Sequence, residues 1–334
     1  MISPSREQGR AAVPTGLSAV VLVIALVVGG LLSMSTGGRS DVGFTDLFAH
    51  DDLASMVLIE IRAPRSIAAA LLGVNLGLAG LVLQAITRNP LASPAILGIN
   101  QGAALGLALA FVLPGLSAFP DVMAVVGAFL AGTASFAIAG GFQARMEPMR
   151  LMLGGIAVGA FAYAMVRFTF TLEDDIARTV VRWVVGDITD IRWPAALRLA
   201  AIAVPGVIAA MALAHRLNLM ALGEDQAQGL GGDPRVTLFL GAVLAAGLTG
   251  ICVTVAGPIG FAGLIVPNLA RALFTGDHRV LVPMTALIGA ALMLVADGLS
   301  KILTAPIEAP IGVIVALIGA PWFLWLTLRT RDLP

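Results

Sequence analysis

Hydrophobic positions along the chain fall into long unbroken runs separated by short polar interruptions. They lack the period-two alternation that marks membrane-barrel strands. The runs predict helical spans at about 16–35, 66–87, 95–113, 122–143, 151–170, 197–214, 236–255, 259–273, 281–299 and 310–328. A helix needs ~20 residues to cross the hydrocarbon core, and most of these runs meet that length. The third and eighth are short or irregular, because Pro90, Pro94, Pro258 and Pro267 lie at or inside them. The expected fold is an all-α polytopic membrane protein of about ten transmembrane helices. A tail, 1–15, precedes a single transmembrane domain, 16–330.

Composition agrees with the pattern. Hydrophobic residues make up 58% of the 334 residues and charged residues 12%, against about 25% charged in a soluble domain. Arg6 and Arg10 ahead of an uncharged run resemble the start of a signal peptide. The run is too long for a cleaved segment and lacks a small-x-small site, so it is expected to be retained as the first span. The lone Cys252 excludes an internal disulfide, and His50, His215 and His278 are too dispersed for a metal site. A net charge of +0 gives no reason to expect a nucleic-acid partner.

Arginine placement sets the expected orientation. With the N-terminus inside, every inner connection carries a basic residue, while the outer turns near 114–121 and near 256 carry none. Ten spans then put both termini in the cytoplasm. Several positives remain on the outside at span mouths, notably Arg62, Arg65 and Lys301, which is the sole lysine. Two readings stand for them: anchors that snorkel to headgroups, or an exposed docking surface for an acidic partner.

Two polar breaks echo one another. "LVLQAITRNPLASPAILGINQGAALG" and "LTGICVTVAGPIGFAGLIVPNLARAL" each join a span to a short span through Pro and Gly. An odd number of spans between them makes the copies opposite in orientation, which suggests an inverted repeat with a translocation path beside the breaks. Backbone freed at membrane depth must be satisfied by protein or a wet cavity. "TRNPLASP" therefore suits a helix end at the inner mouth, with Asn89 pairing free backbone groups.

"RAPRSIAAALLGVNLGLAGLVLQAITRNPLASPAILGINQGAALG", "VAGPIGFAGLIVPNLARAL", "DHRVLVPMTALIGAALMLVAD" and "IEAPIGVIVALIGAPWFLWL" resemble the FecCD-type permeases that import iron-siderophores, haem and cobalamin. The resemblance runs from about 15 to 330. It implies a subunit of a type II ATP-binding-cassette importer in the bacterial cytoplasmic membrane. A second permease, identical or paralogous, would close a central path as a dimer. Two cytoplasmic ATPases would power it, and an extracytoplasmic binding protein would deliver the cargo. No Gly-rich phosphate loop surrounds Lys301, so ATP and Mg are expected on the partner ATPase. The chain itself is expected to hold no cofactor and no metal, and to catalyse no reaction.

Residue roles follow by the same resemblance. The loop 217–235 matches the ATPase-coupling region. Its contact residues would be Leu222, Gly223, Glu224, Asp225, Ala227, Gly229, Leu230 and Gly231, with a short helix ended by glycines. Arg62, Arg65 and Lys301 match binding-protein docking positions. Asn89 and Leu91, opposed by Pro148 and Met149, match the cytoplasmic gate. The fifth span would line the path, with Arg167 either paired to Glu173 or Asp174 or attracting an anionic ferric chelate. Asp297 suits a structural hydrogen bond better than a proton relay. Asn268 stands where related chains commonly have His, which puts any role of that His in doubt.

The expected cargo is a ferric siderophore, with haem or cobalamin as alternatives. A secondary transporter would call for paired carboxylates or histidines within spans, and Asp297 is alone. A membrane-embedded enzyme would call for a polar cluster that the sequence lacks.

Overall fold

The computed structural model describes residues 15–37, 52–113, 115–140, 148–171, 185–274, 276–304 and 307–331. The expected N-terminal tail, up to residue 14, lies outside them. Every element among the described residues is helical. In chain order these are α1 Thr15–Ser35, α2 Asp52–Val57, α3 Ala63–Thr87, α4 Ile99–Val112, α5 Pro120–Ile138, α6 Pro148–Thr171, α7 Trp193–Ala221, α8 Glu224–Gly229, α9 Pro234–Ala256, α10 Ala262–Leu273, α11 His278–Leu303 and α12 Ile311–Arg331. Among the described residues, 7 helices are long and apolar enough to cross a membrane, and Ile99–Val112, Ala262–Leu273 and Ile311–Leu324 are shorter apolar helices. Each of the predicted runs therefore has its helix.

Boundaries moved where a polar residue ended an apolar run without ending the helix, or the reverse. The seventh helix continues through His215, Arg216 and Asn218, well past the expected stop. Helix α5 stops short of 143, because Gly140 turns out at φ 74°, a conformation that suits glycine at a helix end. Upstream, α2 joins α3 through a π-helical stretch, Leu58–Arg62, where Ala63 N–H donates to Leu58 C=O. Pro64 lies in the next turn. Its missing N–H and bulky ring would disrupt a regular ladder there, and the widened turn accommodates it.

Helix α3 is the centre of the molecule, buried over most of its length and packed against α7, α9, α10 and α11. Membrane helices gain little from apolar burial alone, so close backbone approach matters more. Gly73 meets Gly289 of α11, and Gly80 meets Gly263 of α10, so closely that an added Cβ would overlap the facing carbonyl. Gly80→Ala is therefore expected to force the helices apart at a cost of about 1–3 kcal/mol. A lowered midpoint of thermal unfolding in detergent would show it, and an unchanged midpoint would refute this account of the contact.

Candidate functional site

At the end of the bundle where α3 begins, four charged side chains share one cluster. Asp297 is fully buried on α11. It accepts Arg65 Nε at 2.7 Å and Lys301 Nζ at 2.6 Å, with Ser33 Oγ of α1 at 2.6 Å. Arg65 also pairs with Glu308, and Lys301 donates to Ser33 C=O at 2.6 Å. Arg62 donates to Met34 C=O at 2.9 Å. Arg62, Arg65 and Lys301 are 4%, 5% and 4% exposed. The expectation of an exposed basic rim is thereby corrected. Asp297, Glu308 and the carbonyls ending α1 offer these cations closer acceptors than the surface does. For Asp297 the contacts favour the structural reading, since three donors engage its carboxylate.

The two echoing breaks meet at the other end of α3. Arg88 takes the left-handed conformation at φ 49° to cap α3, and Phe261 takes φ 62° ahead of α10. These are the non-glycine residues with positive φ among the described residues. Such backbone costs about 1–3 kcal/mol and persists where its surroundings fix it. The contacts here run from α3 and the first break to α10. Gln84 faces the Gly263 and Leu264 carbonyls at 3.4 and 3.5 Å, and Arg271 donates to Gln84. Asn268 Nδ2 donates to Pro90 C=O at 2.9 Å and to Leu264 C=O at 2.8 Å. Asn268 thus ties α10 to the first break.

Of the expected gate residues, Asn89 is buried and its Oδ1 accepts Leu91 N–H at 2.9 Å, which fixes the turn before Pro90. Pro148 opens α6, and Met149 beside it is exposed. Farther along α6, Gly155 is packed so close to Ile96 and Leu97 that a Cβ would overlap them. The segment at Ile96–Leu97 therefore packs directly on α6.

Next to this loop lies the expected coupling region. Gly223, at φ 104°, leads into α8, and Gly231, at φ 81°, closes it. Gly232 N–H bonds back to Ala227 C=O at 2.8 Å. Ala227 is buried, while Leu222 and Leu230 are 51% and 63% exposed. Asp233 caps α9 by accepting Arg235 N–H and Val236 N–H at 3.0 and 3.1 Å. Arg88 reaches from the first break to Glu224 at 3.2 Å. Sequence analysis missed this link, although an arginine at the end of a helix before Asn-Pro was its visible trace. A second brace was missed as well. Asn218 joins Asp277 Oδ1 at 2.7 Å and His278 N–H at 2.9 Å, which fastens the end of α7 to the start of α11. The exposed Asp277 carboxyl is held below its usual range, first by Arg279 N–H and then by the Asn218 side chain.

Helix α6 presents an exposed face carrying Tyr163 and Arg167, whose guanidinium lies 5.8 Å from the Tyr163 ring centre. Glu173 and Asp174, the expected partners of Arg167, lie outside the described residues. No group of His, Cys, Asp and Glu able to hold a metal occurs among the described residues.

A helical bundle whose central helix runs from a buried ion cluster to two interlocked breaks, with a short exposed helix beside them, defines the membrane subunit of a transporter. The FecCD transport family matches residues 21–329, and the chain belongs to that family. It is an importer permease of the ATP-binding-cassette class and not itself an enzyme. The chain is 39% identical to the Fe(3+) dicitrate transport system permease protein FecC of Escherichia coli over 83% of its length and 84% of the relative's. It is 37% identical to the hemin transport system permease protein HmuU of Yersinia pestis, with 93% and 95% covered. Identity to the vitamin B12 import system permease protein BtuC of Salmonella typhi is 34%, with 99% of both covered. Its fold matches a metal-chelate type ABC transporter in an inward-facing conformation, with a TM-score of 0.78 at 29% identity, covering 95% of this chain and 100% of that one.

Proposed function

We propose that this chain is the permease through which a ferric siderophore crosses the bacterial cytoplasmic membrane. Two copies, or this chain and a paralogue, enclose the path. Two cytoplasmic ATPases bind ATP and Mg, and an extracytoplasmic binding protein delivers the cargo. Both termini lie in the cytoplasm, on the side of α8.

The observation that carries the coupling role is the construction of α8. It is braced by buried Ala227 and by Arg88, yet it leaves Leu222 and Leu230 uncovered. Exposed leucines flanking a fixed helix suit insertion into an apolar groove of an ATPase. The iron reading draws on relatives named for iron-citrate and hemin, and the same family includes a vitamin B12 permease. At the opposite end, docking by Arg62, Arg65 and Lys301 requires exchange of an internal partner. Glu308, on the rim of the cluster with its side chain 18% exposed, is the carboxylate that an incoming acidic group of the binding protein would replace.

Uptake by a strain lacking the gene tests the reading. Labelled iron is supplied as several ferric siderophores, as ferric citrate and as haem, with labelled cobalamin in parallel. The expected result is loss of one ferric chelate, restored by the gene but not alongside an ATPase-dead partner. Normal iron entry with failed cobalamin entry would reject the ferric cargo and keep the family.

A further inference from the structure

A cavity of about 170 Å³ lies between the first turn of α4, the middle of α6 and the break ahead of α10. Asn100, Gln101, Tyr163, Val166 and Pro258 line it. The larger cavity between α4, α5 and α6 is lined almost wholly by apolar side chains. This smaller one has a polar wall.

Asn100 is only 2% exposed. Its Nδ2 donates to Ile259 C=O at 3.0 Å, which assigns the other amide atom as the acceptor. That Oδ1 is buried and finds no donor among the described residues, and neither does Oε1 of the adjacent Gln101. A buried acceptor left without a donor costs about 1–3 kcal/mol. Two of them in one cavity wall form a local inconsistency of the kind that folded chains retain at working sites. Tyr163 stands on the exposed face of α6 at this cavity, and one turn farther along, Arg167 places a cation over its ring.

We propose that this cavity is a subsite for an anionic metal chelate that carries N–H or O–H donors on its periphery. Donors of the passing chelate enter toward Asn100 Oδ1 and Gln101 Oε1, while its negative charge faces Arg167. A bare metal cation suits the site poorly, since Arg167 repels it and no carboxylate lines the cavity. Haem suits it poorly too, because the porphyrin periphery offers carboxylates and hydrocarbon but no donor. The inference rests on the reading of the chain as a chelate importer with α6 along the path, and it narrows the cargo to donor-bearing chelates.

The test uses the full transporter, reconstituted in liposomes with its ATPase and binding protein. Initial uptake is measured with a ferric citrate–dihydroxamate chelate, which is anionic and carries amide N–H groups, with ferric citrate and with haem. Gln101→Leu removes one acceptor and is expected to slow uptake of the citrate–dihydroxamate chelate about tenfold, the loss of roughly one hydrogen bond. Its thermal midpoint is expected to stay level or rise, because the unsatisfied oxygen is gone. A residue needed only for packing would move the midpoint down instead. Gln101→Glu keeps the size and adds a negative charge, and is expected to slow the anionic chelate further. Wild-type uptake rates in both variants would overturn the proposal, as would wild-type uptake of haem alone or a lowered midpoint matched by equal losses for every cargo. If the wild type takes up no ferric chelate, the iron reading has failed instead.

Discussion

Asp297→Leu is expected to abolish accumulation of folded protein. The carboxylate is fully buried between Arg65 and Lys301, at 2.7 and 2.6 Å. Its removal leaves Glu308 as the one remaining carboxylate of the cluster to answer both cations. Removing one member of a buried pair costs about 3–5 kcal/mol, because the surviving charge stays desolvated without its partner. That is a large part of a total stability of about 5–15 kcal/mol. Recovery of monodisperse protein from detergent extracts, together with its thermal midpoint, gives the measurement. Replacing Asp297, Arg65 and Lys301 together by Leu, Met and Met should restore much of the loss, since apolar groups of similar volume need no counter-charge. Wild-type recovery of the single variant would mean that the cluster is wetter and looser than its geometry indicates. The same argument changes what Arg65→Glu means. On an exposed rim it would weaken docking alone, whereas here it adds a third carboxylate beside Asp297 and Glu308 and threatens the fold.

This cluster marks the limit of what the sequence discloses. Apolar runs located the long apolar helices, though not α2 or α8, because bilayer thickness fixes their length. Pro90, Pro94, Pro258 and the neighbouring glycines located both breaks because they interrupt a hydrogen-bond ladder. Those are local signals. Whether Arg65 faces water or Asp297, 232 residues away in sequence, depends on how α3 lies against α11, which Gly73 and Gly289 set by close approach. The coupling helix was legible in Gly223, Gly229 and Gly231, and its apolar contacts in Leu222 and Leu230. Its brace from Arg88 was not, because an arginine before Asn-Pro marks a helix end without saying that it meets Glu224, 136 residues away in sequence. Asn268 shows the same limit, since its bond to Pro90 depends on α10 lying against the first break.

The second large effect belongs to α8. Leu222→Asp combined with Leu230→Asp is expected to reduce ATPase association by more than a hundredfold and to stop ATP-driven uptake, while the permease still folds. Both side chains are exposed in the isolated subunit, so their replacement removes no internal packing. Central apolar anchors of an interface are each worth about 2 kcal/mol or more, and a carboxylate in their place must also be desolvated. Glu224→Arg acts differently. The Arg88–Glu224 pair is exposed, so its loss costs the fold about 0–1 kcal/mol. Yet Arg88 is the residue that caps α3 and leads into the Asn89–Leu91 turn, so the pair joins the ATPase-facing helix to the inner-mouth loop. Glu224→Arg should therefore leave ATPase association and hydrolysis in place but separate hydrolysis from transport, and the double swap with Arg88→Glu should restore part of the coupling. The ratio of cargo moved to ATP hydrolysed, measured in liposomes for all four variants including the wild type, decides the matter. Tight association of the double-aspartate variant would place the coupling contact elsewhere, and an unchanged ratio for Glu224→Arg would show that the loop moves independently of α8.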